Sequence, residues 1–193
     1  MEILTADLSH KAGIRALLRA NHISTIAEED KKDGFVTTQL TEEQLEALIT
    51  REKGITIAVD QGQVVAFAMA APWSFWKAWP MFLVMLDKLE QSSFDGRKLT
   101  EENTYQYGPI CVAKAYRGKG VFEKVFYASL ASMADRFPVM TTFINKINHR
   151  SYAAHVRKGH MTEVGTFDFN GNHYALMACP TSLGKEIPHG SEN

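Results

Sequence analysis

Tyr105-Gln106-Tyr107-Gly108-Pro109-Ile110-Cys111-Val112-Ala113-Lys114-Ala115-Tyr116-Arg117-Gly118-Lys119-Gly120-Val121-Phe122 is the stretch on which the fold turns. Tyr105 to Val112 reads as a strand with Gly108-Pro109 in its middle. Proline cannot donate to a ladder and glycine tolerates unusual dihedrals, so a bulge or a break in pairing is expected there. The chain then runs through Arg117-Gly118-Lys119-Gly120 straight into a helix predicted from Gly120 to about Arg136. A strand end, a glycine-punctuated turn and a helix N-terminus leave backbone N–H groups pointing one way, with about half a unit of positive charge behind them. Gly118 and Gly120 let a ligand approach the backbone, and Arg117 and Lys119 add full charges. A pyrophosphate suits such a turn. Local chemistry leaves an ordinary strand-to-helix turn equally open. The P-loop ending is absent because Val121 follows Gly120, and the dinucleotide fingerprint lacks its third glycine and its acidic residue.

Towards the C-terminus, Val139 to Ile147 reads as a buried strand and Ser151 to Lys158 as a helix stopped by Gly159. Thr162–Phe169 and His173–Cys179 form a hairpin about Asn170-Gly171-Asn172. From Pro180 onward the composition is polar, and a frayed tail is expected. Towards the N-terminus, a strand at Met1–Thr5 precedes a helix from about Ser9 to Asn21 with Ile14, Leu17 and Leu18 on one face. His22–Gln39 reads as a loop or a partner-contacting arm, although Phe35-Val36-Thr37-Thr38 is β-prone. The charge run Glu28–Asp33 within it reads as exposed. Thr41 and Gln44 have capping-box spacing, Leu40 and Leu45 can staple the start of that helix, and Gly54 stops it. Ile55–Val59 and Val64–Ala71 form a hairpin across Asp60-Gln61-Gly62-Gln63. Residues 72–102 interrupt the pattern with an aromatic segment, a helical stretch to Leu89 and a polar loop around Asp95-Gly96-Arg97.

The expectation is an α/β (α+β) fold: a mixed, mostly antiparallel central sheet of about seven strands with helices on both faces and a helical insertion between strands three and four. A chain of 193 residues fits one domain, 1–180, followed by a polar tail at 181–193. A net charge of −1 provides no global field for nucleic acid or an anionic membrane. Cys111 and Cys179 lack metal or disulfide spacing and read as buried thiols of a cytoplasmic protein. No signal peptide is visible, and the apolar window Trp73–Leu86 is too short to span a bilayer. His149, His155 and His160 are not spaced as a metal site, so no metal is expected.

Arg117-x-x-Gly120, preceded at five residues by Val112, resembles the acetyl-CoA signature of the GNAT superfamily of N-acetyltransferases, Gln/Arg-x-x-Gly-x-Gly/Ala. The last position departs from it, since Phe122 replaces a small residue; its ring must turn into the helix packing. A second motif agrees in order and spacing: Asn148, Ser151, His155, Arg157 and Gly159 stand where the family tends to have Asn, Ala or Ser, Tyr, Lys or Arg, and Gly. The expected element order covers nearly the whole chain except 72–102.

The resemblance implies that the fourth and fifth strands splay apart and that the pantetheine of acetyl-CoA lies between them. Ile110, Cys111 and Val112 would then flank the arm, with Arg117, Gly118, Lys119, Gly120, Val121 and Phe122 at the phosphates and Asn148 and Ser151 nearby. Backbone N–H near Ile110 would polarise the thioester carbonyl. His155 takes the place of the family's acidic Tyr and can serve in that role if its pKa allows, a surface histidine being the other reading. Gln106 stands where many members have a basic Glu, and an amide cannot accept a proton. A water oriented by Tyr105 or Tyr107, or a carboxylate from elsewhere such as Asp168, is the alternative, with both tyrosines also reading as packing residues. Cys111 as an acyl-carrying nucleophile has no activating histidine placed by sequence. The reaction implied is acyl transfer from acetyl-CoA, or a close acyl-CoA, to an amine of a small molecule or a protein; a non-catalytic acyl-CoA-binding module is the rival. The aromatic segment Trp73, Phe75, Trp76, Trp79 and Phe82 packs on the core, forms a homodimer contact or covers the acceptor.

Overall fold

The computed structural model describes residues 1–186, apart from the side chains at 30, 32 and 33. β1 (Glu2–Thr5) leads to α1 (Lys11–Ala20), whose buried face is Ile14, Leu17 and Leu18. α2 (Glu42–Thr50) begins at a reciprocal box in which Thr41 and Gln44 bond each other's backbone N–H, and it buries Leu45, Leu48 and Ile49. Such a cap satisfies two otherwise orphaned donors and contributes about 1 kcal/mol. β2 (Ile55–Asp60) and β3 (Gln63–Ala71) form the expected hairpin. Gln61 and Gly62 both have positive φ, as a tight primed turn requires.

The insertion holds α3 (Trp73–Trp76), α4 (Pro80–Glu90) and a small hairpin of β4 (Ser93–Phe94) and β5 (Arg97–Lys98). That hairpin corrects the polar loop expected here: Asp95 and Gly96 supply two consecutive positive-φ residues. Trp73 and Trp76 are fully buried, and the Trp73 indole N–H donates to Thr104 Oγ1 at 2.9 Å. Trp76 packs on Phe82 at 5.0 Å, and Phe82 on Phe143 at 5.5 Å, which fastens the insertion to the sheet of its own chain.

β6 (Thr104–Val112) is followed by α5 (Val121–Met133), β7 (Val139–Asn145), α6 (His149–Arg157), β8 (Thr162–Phe169), β9 (Asn172–Pro180) and α7 (Leu183–Glu186). The seven-stranded sheet has the order β1-β2-β3-β6-β7-β9-β8, and every pairing is antiparallel except β6 with β7. One face carries a core around Ile14, Leu48, Phe67, Trp76 and Leu176; the other carries one around Tyr107, Val125, Phe126, Leu130 and Met177.

The frayed tail is also corrected at its start. Pro180 ends β9, Thr181 is buried, and Gly184 lies so close to the Ala131 backbone that a Cβ would come within 2.4 Å of its nitrogen. Residues 187–193 of that tail lie outside the described residues. No described helix is long and apolar enough to cross a membrane.

Candidate active site

β6 and β7 pair only from Thr104 to Gln106 and then separate, β7 continuing along β9 to Asn145. Carbonyls exposed by the separation are capped from β7. Thr141 Oγ1 donates to Tyr105 O and Thr142 Oγ1 to Tyr107 O, each at 2.7 Å. The register of β6 on β3 shifts between Ala68 and Ala70, opposite Gly108-Pro109, whose peptide is cis. Gly108 has φ +113, a conformation rarely open to residues with a side chain, and a Cβ there would meet Thr142 Oγ1 at 3.4 Å. The bulge expected from the sequence is thus where the sheet opens.

Beyond the bulge, Ala113 N–H donates to Val65 O at 2.8 Å. Backbone groups alternate sides in an antiparallel ladder, so Cys111 faces β3 while Ile110 and Val112 face the gap. Arg117 Nε donates to Val112 O at 3.1 Å, which agrees with that direction. β6 therefore turns an unpaired edge, the N–H and C=O of Ile110 and the N–H of Val112, into the opening.

At the end of this edge, Gly118 and Gly120 both have φ +76, and a Cβ on either would meet nothing within 4 Å. Gly120 is the N-cap of α5, and no side chain caps the first-turn N–H groups. They converge on open space with the positive end of a thirteen-residue helix behind them. Arg117 is oriented by the fold: besides Val112 O, it donates to Asn21 Oδ1 at 2.7 Å. Lys119 lies over the Tyr116 ring at 5.7 Å, and the Val121 side chain is buried in the core. Phe122 stacks on Phe126 at 5.5 Å and meets the His155 ring edge-on at 5.2 Å.

Two cavities flank the gap. The larger, about 330 Å³, is lined by Ile110, Cys111, Val112, Arg117, Gly118, Gly120 and Phe122, with Glu123, Arg150, Arg157 and Lys158 also in its wall. The smaller, about 80 Å³, is lined by Thr37, Thr38, Gln106, Tyr107, Pro109, Thr142, Phe143, Asn145 and Tyr174. Phe35, Val36, Ile110, Asn148, Ser151 and His155 border both, so a molecule threading the gap would touch each cavity.

These features can be set beside known proteins. No protein-family model and no curated protein matches the sequence. Solved structures do. A ribosomal-protein-alanine N-acetyltransferase from Brucella melitensis superposes with a TM-score of 0.62 at 17% identity, over 93% of this chain and 99% of that one. An N-acetyltransferase from Staphylococcus aureus gives 0.61 at 18% identity over 93% and 98%. An aminoglycoside 6'-N-acetyltransferase complexed with coenzyme A gives 0.62 at 14% identity over 99% and 100%. The chain has the GNAT acyltransferase fold.

Within the GNAT framework, the sequence-predicted residues divide into groups. Ile110, Cys111, Val112, Arg117, Gly118, Gly120, Phe122, Asn148, Ser151 and His155 all border the larger cavity. Lys119 and Val121 do not bring their side chains to it, so only their backbones remain as candidates. The Cys111 backbone faces β3, and burial pushes its thiol far above the usual range, which removes it as a nucleophile. Asn148 is occupied within the fold: Oδ1 accepts from Ser151 N–H and Nδ2 donates to Phe35 O, both at 3.2 Å.

Three candidate catalytic side chains have surroundings that bear on their roles. His155 is not a surface residue, and its Nδ1 faces the Ser151 carbonyl at 2.7 Å. Burial among Phe122, Phe126 and Tyr107 lowers its pKa to about 4, so near neutral pH it is an uncharged ring and no imidazolium acid. The Tyr107 hydroxyl is buried without a partner, and burial followed by the neighbouring Tyr105 and the cysteines raises its pKa well above the usual value; it neither accepts a proton nor reaches solvent to orient a water. Asp168 is exposed, pairs with His173 at 2.6 Å and borders neither cavity. Trp76 and Trp79 also border neither.

Sequence reasoning missed the segment 34–38, which roofs both cavities. Val36 N–H donates to Asn21 O, and Ile23 N–H to Val36 O, each at 2.9 Å. The β-prone run was its only local signal. It also missed Thr142, which caps the open carbonyl, and Arg150 and Lys158 in the wall of the larger cavity.

Proposed function

We propose that this chain transfers an acetyl group from acetyl-CoA to a primary amine. The observation that carries the reading is the Ile110–Val112 edge of β6, opened by the bulge and ending at an uncapped helix N-terminus. An extended amide-bearing arm can pair with such an edge as an added strand, and a pyrophosphate matches the N–H groups from Gly118 to Phe122. Arg150 and Arg157 add positive charge beside the larger cavity, where Lys158 is paired with Glu123 at 2.7 Å. The thioester then reaches Ile110, whose N–H is placed to donate to the carbonyl oxygen as negative charge develops.

The smaller cavity, across the shared wall, receives the amine. Its nitrogen forms a bond to the thioester carbon, the carbonyl pair moves to oxygen, and collapse breaks the C–S bond with the electron pair leaving on sulfur. Proton transfer runs through water, and positioning contributes the larger part of the acceleration. Heating with acetyl-CoA, CoA and ATP tests the donor: acetyl-CoA and CoA should raise Tm and ATP should not. Free thiol release across an amine library tests the transfer. A non-catalytic acyl-CoA-binding module is the second reading, favoured by the amide at Gln106 and the neutral His155. It expects the same Tm shift and no thiol release.

A further inference from the structure

Gln106 has no exposed surface, and it is one of the residues that line the smaller cavity. Its Nε2 donates to Tyr107 O at 2.6 Å, which fixes the other end of the amide as the oxygen. That Oε1 is buried with no partner. A hydrogen-bond acceptor that cannot take a proton thus sits in the wall where the amine would come to rest. Thr37, Thr38, Thr142 and Asn145 line the same cavity.

The titratable residues that line this cavity are His155 from α6, Tyr107 from β6 and Tyr174 from β9. The imidazole is neutral, and burial pushes both phenols upward, so they stay protonated. An alkylammonium entering this cavity meets no anionic partner among its described residues, whereas an uncharged amine offers an N–H to the amide oxygen and a lone pair to the thioester.

We infer, resting on the acetyl-transfer reading above, that Gln106 positions an acceptor amine of low basicity, of the arylamine or hydrazine class, by accepting one of its N–H groups at Oε1. The second N–H is lost after the N–C bond forms, and its proton ends through water on the sulfur released by C–S cleavage. Gln106 orients the nitrogen and removes no proton.

The test is acetyl transfer by the full chain with aniline, phenylhydrazine and benzylamine, which are close in size and span basicities from far below neutrality to well above it. At pH 7, kcat/KM for the first two should exceed that for benzylamine by at least about tenfold, and the benzylamine rate should climb about tenfold per pH unit with its free-base fraction. Gln106→Leu should raise KM for aniline about tenfold with a smaller change in kcat. Gln106→Glu should install a base, so that the benzylamine profile gains a plateau. A wild-type benzylamine rate that levels off well below the amine's own pKa would reveal an enzyme base and overturn the inference. So would an unchanged aniline KM in Gln106→Leu with only Tm lowered, the mark of a purely structural amide. Thiol release from benzylamine alone would overturn it while leaving acetyl transfer standing. Binding of acetyl-CoA with no release from any amine would overturn both.

Discussion

The two cavities that flank β6 are made of different material. The larger takes much of its wall from one continuous run, Ile110 to Phe122, which presents the free edge of β6 and the start of α5. The smaller is assembled from the 35–38 segment, β6, β7, α6 and β9. A backbone site advertises itself through glycines and helix starts, because those residues are needed wherever the main chain must meet a ligand. A side-chain site has no such local mark. Its members are distant in sequence, and only the fold brings Thr38, Gln106, Thr142 and Tyr174 together.

That contrast can be tested from outside inward. The largest effect should fall beyond both cavities: Trp76→Ala removes a fully buried ring and should cost about 3–5 kcal/mol in urea unfolding, with acetyl-CoA affinity unchanged at temperatures where the variant is folded. A matched loss of affinity would show that the insertion shapes the site after all.

Next comes the shared wall. His155 has a folded pKa of about 4 against an ordinary 6.5, so the unfolded chain binds the extra proton between those values. Its contribution to stability is complete above pH 6.5 and is lost as pH falls through 4, about 3 kcal/mol in all. Between pH 7 and 4, denaturant melts should show wild type losing about 3 kcal/mol more stability than His155→Phe. Identical losses would mean the ring is solvated.

In the larger cavity, Gly120→Val forces a β-branched residue to φ +76 and puts methyl groups where the ligand comes. Strain of about 2 kcal/mol is expected, with acetyl-CoA binding weakened about 30-fold or more by calorimetry. In the smaller cavity, Thr142→Val deletes the hydroxyl that caps Tyr107 O and should cost about 1 kcal/mol. Its effect should appear in the amine KM and leave acetyl-CoA binding alone.

The same contrast explains what could be read from the sequence. The stripe on α1, the Thr41–Gln44 box, the Gln61-Gly62 turn and the Gly108-Pro109 bulge are local patterns with local causes, and each stands where expected. The 34–38 segment did not announce itself, because its bonds go to Asn21, Ile23 and Asn148 rather than to its neighbours in a hairpin. The protonation state of His155 was equally hidden. The motif spacing located the residue, but its neutrality comes from Phe122 and Phe126 on a different helix and from Tyr107 on β6. Phe122, a departure from the family pattern in the sequence, is part of that enclosure.

The bulge in β6 also has a consequence for phase. Ala70 N–H donates to Gly54 O, so Ala71 and its partner Gln106 face each other, and below the bulge the odd residues Tyr105 and Tyr107 point their carbonyls at β7. Above it the parity is reversed: Cys111 faces β3, and the even residues Ile110 and Val112 face the gap. Without that one-residue shift, an uninterrupted β6 would turn Ile110 and Val112 inward against β3 and offer Pro109, which has no N–H, and Cys111 in their place. Gly108-Pro109 does more than open the sheet; it decides which amides the opening contains.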